Sequence, residues 1–121
     1  GQIICLKRFY HEQSRPDRDS YVTVNYANIQ RGMVNLVLIL TKITTYLFVI
    51  VAYNFDKFAW GRTVQNQNTP YDTGSIMHYG AYDFSANNRP TIVPRRSNTV
   101  LGQRQELSAI DIAEVRDYYQ C

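Results

Sequence analysis

The sequence predicts an α+β fold made mostly of loops, with short strands and one C-terminal helix. Three observations carry that class. Tyr21-Val22-Thr23-Val24-Asn25-Tyr26 alternates so that Val22, Val24 and Tyr26 share one side, the pattern of a half-buried strand. Thr91-Ile92-Val93, stopped by Pro94, reads as a second short strand. Beyond Ser108, Ile112, Val115 and Tyr119 recur at three- and four-residue spacing, which is one face of a helix.

Taken in order, Gly1 to Tyr10 is short and mixed, without a clear period. Gln13 to Ser20 is polar and turn-rich, and Pro16 breaks any helix there. After the first strand comes an apolar block in which 15 of the 20 residues from Val34 to Tyr53 are apolar. As a helix it would run about 30 Å, the thickness of a bilayer core. Asn35, Thr41, Lys42, Thr44 and Thr45 interrupt it, and a central Lys costs about 2.5 to 3.5 kcal/mol on insertion. A membrane span is therefore disfavoured, and the β-branched content also suits a buried strand pair. Asn54 to Trp60 suits a short amphipathic turn, and Gln65 to Pro70 is a polar loop. A basic, polar loop runs on through Arg96 and Asn98. In the final helix Ser108 is the N-cap, Asp111 completes a capping-box-like pair, and Leu107 is placed to staple onto Ile112.

The 121 residues allow one domain, and 45% hydrophobic content against 19% charged excludes a disordered tail. Thirteen Lys and Arg against ten Asp and Glu give a net charge of +3. The basic residues are interleaved with acids, as in Arg15-Pro16-Asp17-Arg18-Asp19, and no basic stripe marks a nucleic-acid surface. Cys5 and Cys121 stand at opposite ends. Paired, they would close almost the whole chain into one loop and stabilise it by about 4 to 5 kcal/mol. That suits a secreted domain, and a free or buried thiol is the alternative. Beginning at Gly1 with neither Met nor signal peptide, the chain reads as a fragment or a processed product.

Two short motifs stand out. Taken singly, His11-Glu12 is an ordinary solvated pair, Met77 is core filler and Tyr79 a half-buried aromatic. Together, His11-Glu12-Gln13-Ser14-Arg15-Pro16-Asp17-Arg18-Asp19 resembles the end of the astacin zinc-binding motif, H-E-x-x-H-x-x-G-x-x-H-E. Ser75-Ile76-Met77-His78-Tyr79 resembles that family's S-I-M-H-Y Met-turn. The frame agrees as well: Asn68 to Asp72 before the turn, Thr91 to Pro94 after it, and Gly102-Gln103-Arg104 leading to Ser108-Ala109-Ile110-Asp111-Ile112. The resemblance covers residues 9–33 and 52–121.

What the resemblance implies is the C-terminal subdomain of a metzincin, a secreted zinc endopeptidase in which the metal polarises the scissile carbonyl and activates a water. On that pattern His11 is the third zinc ligand. Tyr79 is a switchable phenol that approaches the metal and then hydrogen-bonds the transition-state oxyanion. Met77 is the apolar floor beneath the metal, and Glu12 belongs to the network that holds the mature N-terminus. Arg104 falls at a position that lines the S1′ pocket and favours acidic side chains. His78 is not a ligand in the family pattern.

Much of the pattern is missing. The chemistry needs two His at i and i+4 on one helix face, with a Glu beside the first as general base. None of the ten residues before His11 is His or Glu. Cys5 stands about where the first His belongs, and its spacing of six from His11 does not share a helix face. The expectation is a chain that does not stably hold catalytic zinc and is not a competent peptidase as it stands.

A further departure is an insert of 18 residues, 34–51, between Gly32-Met33 and Tyr53-Asn54-Phe55, which run together in the family. It reads as an unspliced intron or a faulty gene model in preference to a real insertion packed as a helix or hairpin. The resemblance also pairs Cys121 with a cysteine of the missing half. The chain is thus expected to be a partial astacin-like peptidase domain over 1–121, atypical at 1–8 and 34–51, whose partner is a protein or peptide substrate. Its oligomeric state stays open. Two other readings are a non-catalytic peptide-binding module and a single-pass membrane protein through 34–53.

Overall fold

The computed structural model describes residues 9–30, 52–59 and 68–120. The expectations for the N-terminal segment 1–8, the apolar insert 34–51, Trp60, and the two cysteines Cys5 and Cys121 lie outside the described residues. In chain order the elements are a 3-10 turn Glu12–Ser14, a second at Arg18–Ser20, strand β1 (Val22–Val24), a third 3-10 turn Tyr26–Asn28, strand β2 (Ile92–Pro94) and helix α1 (Ala109–Tyr119). Among the described residues no helix is long and apolar enough to cross a membrane.

Both strands lie where the sequence puts them, with different edges. β1 and β2 form an antiparallel pair with Val22 opposite Pro94, Thr23 opposite Val93 and Val24 opposite Ile92. Val22 and Ile92 are fully buried. β1 stops at Val24, because the chain turns at Asn25 into the 3-10 turn that begins at Tyr26. Tyr26 therefore leaves the expected strand face and is 47% exposed. Its hydroxyl donates to the Phe55 carbonyl at 3.2 Å and accepts from Arg18 at 3.1 Å, and these bonds hold it in the turn. Pro94 belongs to β2, at the end of a two-stranded ladder where a missing N–H is tolerated.

The buried apolar core is small: Val22, Ile29, Phe55, Tyr71, Tyr79 and Ile92, with Val24 and Leu101 packed against it. Phe55 sits edge-on to Tyr79 at 5.7 Å and to Phe84 at 6.0 Å, a favoured aromatic arrangement. Phe55 is carried on a helical turn closed from Phe55 N–H to the Ala52 carbonyl and from Asp56 N–H to the Tyr53 carbonyl. That turn starts two residues before the one expected at Asn54. Buried polar groups do much of the remaining tying. The Arg18 guanidinium donates to the carbonyls of Gln13 and Phe55, joining the His11 loop to the Phe55 turn.

Helix α1 has the capping box the sequence predicts. Ser108 Oγ accepts from Asp111 N–H, and the Asp111 carboxylate accepts from Ser108 N–H, both at 2.9 Å. The helix closes at Gln120 in the left-handed conformation. Its inner face differs from the expected one. Ile112 is 39% and Tyr119 60% exposed, while burial runs through Asp111, Glu114, Val115 and Tyr118. The first turn sets this rotation, because Asp111 is drawn inward by donors on the Ser75 turn, and Phe9 packs edge-on against Tyr118 at 5.5 Å.

Candidate active site

Two segments 66 residues apart form the site. His11 Nδ1–H donates to the Met77 carbonyl at 2.8 Å, and the Glu12 N–H reaches the same oxygen at 3.4 Å. Two residues further on, Gln13 Oε1 accepts from the Tyr79 N–H at 3.1 Å. The His11 and Tyr79 rings consequently lie 4.5 Å apart, tilted by 55°. With Nδ1 committed as a donor to a carbonyl, the neutral His11 ring carries its free lone pair on Nε2.

The turn itself is built by one serine and one acid. Ser75 Oγ donates to Asp111 Oδ1 at 2.6 Å and accepts from Met77 N–H at 3.0 Å, while Ile76 N–H donates to Asp111 Oδ2 at 3.0 Å. His78 is fully buried, and both its nitrogens are occupied. Nδ1–H donates to the Tyr79 carbonyl at 2.6 Å, and Nε2 accepts from the Tyr71 hydroxyl at 2.7 Å. Burial pushes its pKa below the usual imidazole value, so it is a neutral structural group. Arg104 lies outside the turn, where Nη1 donates to the carbonyls of Ile76 at 3.0 Å and His78 at 2.8 Å.

The Glu12 carboxylate lies in a buried corner beside Asp72 and Arg15. Its Oε1 accepts from Asp72 N–H at 2.8 Å and from Arg15 at 3.1 Å. Burial pushes its carboxyl up to about 7, against the downward pull of the Asp72 N–H and of Arg15. Arg15 in turn grips Asp17 through two nitrogens, at 2.9 and 3.0 Å, and lies over the Tyr71 ring. Phe9, Tyr10, Met77, Leu107 and Glu114 line an open cavity beside Glu12.

The fold thus gathers His11, Met77 and Tyr79 into one cluster, ties Glu12 to Asp72 and Arg15 beside it, and sets Arg104 against the carbonyls of the turn. Gln13, Ser75, Asp111 and Tyr71 escaped sequence reasoning as site residues. Asp111 carried a signal as a cap, the others only as members of the quoted motifs, and the structure gives the Asp111 carboxylate a second task. The geometry of His11 fits a metal ligand, since metal-bound histidines characteristically engage their other nitrogen with a carbonyl or carboxylate. The donor set around it does not complete a zinc site. The sequence has two histidines, one of them the fully engaged His78, and no three His, Cys, Asp or Glu side chains gather as a metal site among the described residues.

A histidine loop strapped to the Ser75 turn and closed by a capped helix is a metalloprotease fold. Residues 7–120 match the family model of Astacin, a peptidase family, and this chain belongs to the astacin family. Blastula protease 10 of Paracentrotus lividus is 48% identical over 115 residues, covering 93% of this chain and 16% of that protein. Meprin A subunit alpha of Mus musculus is 37% identical over 123 residues, covering 99% of this chain and 14% of that protein. Among solved structures, High choriolytic enzyme 1, a hatching enzyme zinc-protease from Oryzias latipes, superposes with a TM-score of 0.72 at 39% identity. That match covers 93% of this chain and 46% of the other. The chain therefore spans about one-sixth of the first of these relatives and under half of the solved hatching-enzyme chain.

Proposed function

We propose that this chain is the C-terminal part of the catalytic domain of a secreted astacin-like zinc endopeptidase that cleaves extracellular proteins, and that as it stands it is not a competent peptidase. The observation that carries the reading is the bond from His11 Nδ1 to the Met77 carbonyl, which fixes Nε2 as the free lone pair in a ring packed against Tyr79. In this family bound zinc polarises the scissile carbonyl and activates a water. His11 is the ligand this chain contributes through Nε2, and the Met77 carbonyl holds its tautomer. Tyr79 contributes a phenolic O–H, a donor suited to metal approach and to developing negative charge on the substrate oxygen. Met77 floors the site. Glu12, already buried and hydrogen-bonded, serves the network around the mature N-terminus. The Arg104 guanidinium, anchored by one nitrogen to the turn, favours an acidic side chain in S1′.

A catalytic zinc needs three strong protein ligands and an open position for water. One histidine and one phenol fall short of that, and the general base is absent from the sequence. Two measurements test the reading. Sequencing the transcript across codons 30 to 55 and upstream of codon 11 is expected to omit the insert and to supply H-E-x-x-H; a transcript that keeps the present residues instead favours a peptide-binding module without catalysis. Casein incubated with the chain as it stands is expected to remain intact, and chelator-sensitive cleavage would refute its inactivity.

A further inference from the structure

We infer that Gln13 is a positioning residue for Tyr79, its side-chain amide holding the Tyr79 backbone so that the phenol stands against His11. The inference rests on the proposed pairing of His11 and Tyr79. Gln13 is 0% exposed, an expensive place for an amide. Its Oε1 accepts from the Tyr79 N–H at 3.1 Å, and its own carbonyl is fixed by the buried Arg18 guanidinium at 3.0 Å. Its Nε2 is buried with no hydrogen-bond partner.

The orphaned nitrogen explains the orientation. Turning the amide over would set its NH2 against the Tyr79 N–H, donor against donor. The Tyr79 amide thus selects the orientation, and the cost is an unsatisfied donor. A residue needed only to fill this space would be Leu or Met, which carry no donor to strand. The bond also forms the second half of a two-point lock. His11 holds Met77 and, two residues along on each segment, Gln13 holds Tyr79. With the second point gone, the Tyr79 backbone loses its tie to the His11 loop, and the phenol shifts against His11 while its ring stays packed on Phe55 and Phe84.

The test is NMR on the full, isotopically labelled 121-residue chain, without metal or substrate. In the wild type, a through-hydrogen-bond coupling is expected between the Tyr79 amide nitrogen and the Gln13 side-chain carbonyl carbon, together with ring-to-ring cross-peaks between His11 and Tyr79. In Gln13→Met, Tyr79 amide exchange should speed up by about tenfold, the worth of one net hydrogen bond, and the His11–Tyr79 cross-peaks should weaken while those between β1 and β2 persist. Gln13→Glu, which keeps an acceptor oxygen, should restore both. Absence of the coupling in the wild type overturns the inference, even if Gln13→Met fails to fold. So do unchanged His11–Tyr79 cross-peaks in Gln13→Met, or a Gln13→Glu variant that behaves like Gln13→Met. None of these readouts depends on cleavage, so failure here removes the role of Gln13 and leaves the peptidase reading standing. The casein and transcript experiments can fail with the Gln13 geometry intact.

Discussion

Asp111 joins the C-terminal helix to the Ser75 turn, and replacing it tests that joint. Asp111 is 8% exposed, and its carboxylate accepts from Ser75 Oγ, Ile76 N–H and Ser108 N–H at 2.6, 3.0 and 2.9 Å. Hydrogen bonds to a charged acceptor are worth about 1.5 to 3 kcal/mol each. Asp111→Ala removes all three, but water can reach part of the gap and the losses are not additive. The expected cost is about 3 to 5 kcal/mol. Asp111→Asn keeps the shape. Its oxygen can face the two N–H donors while its NH2 faces Ser75 Oγ, whose hydroxyl can turn to accept. Only charge assistance is then lost, about 1 to 2 kcal/mol. Urea unfolding followed by circular dichroism measures both. With a slope of about 1.5 kcal/mol per molar, a 3 kcal/mol loss moves the midpoint by about 2 M, and a chain of low initial stability loses its transition altogether. Ser108→Ala, which removes the cap and the hydroxyl's bond to the Asp72 carboxylate, should cost about 1 to 3 kcal/mol. An Asp111→Ala variant within about 0.5 kcal/mol of wild type, the range of an ordinary surface substitution, would refute the claim that this acid anchors the helix.

Other consequences are equally open to measurement. Gly102 has φ 78°, and a Cβ there would collide with the Gly80 backbone, so Gly102→Ala should lower the thermal midpoint sharply, by more than about 2 kcal/mol of stability. Arg104→Met should loosen the turn by about 1 to 2 kcal/mol through the lost carbonyl contacts, seen as faster hydrogen exchange at residues 76–79 and little change at β1. Burial raises the Glu114 carboxyl above its ordinary 4.5. The folded state therefore holds that proton more tightly than the unfolded chain. The associated stability is fully present below 4.5 and is lost as pH rises through the raised value. Glu114→Gln should flatten this part of the stability–pH curve, and an unchanged curve in pH-resolved urea unfolding would count against the burial argument.

How much of this was legible in the sequence depends on how local each feature is. The capping box was, because Ser108 and Asp111 are three residues apart and satisfy each other's backbone. The strands were legible in place but not in length, since β1 ends where Arg18 and the more distant Phe55 capture the Tyr26 hydroxyl. The buried face of α1 was misread for a related reason. Apolar spacing favoured Ile112 and Tyr119, whereas donors on the Ser75 turn pull the polar Asp111 inward and rotate the helix about it. His11 and Tyr79 could be connected only through family resemblance, because no spacing rule joins residues 68 positions apart. Gln13 sits in a polar run where nothing local separates a buried amide from a solvated one.

The chain's metal content bears most directly on the central claim, that His11 and Tyr79 belong to a zinc peptidase site whose other donors this sequence lacks. Refolded protein, dialysed against buffered zinc and analysed for metal, is predicted to retain far less than one zinc per chain. One tightly held zinc per chain, surviving dialysis and accompanied by chelator-blocked casein cleavage, would contradict it.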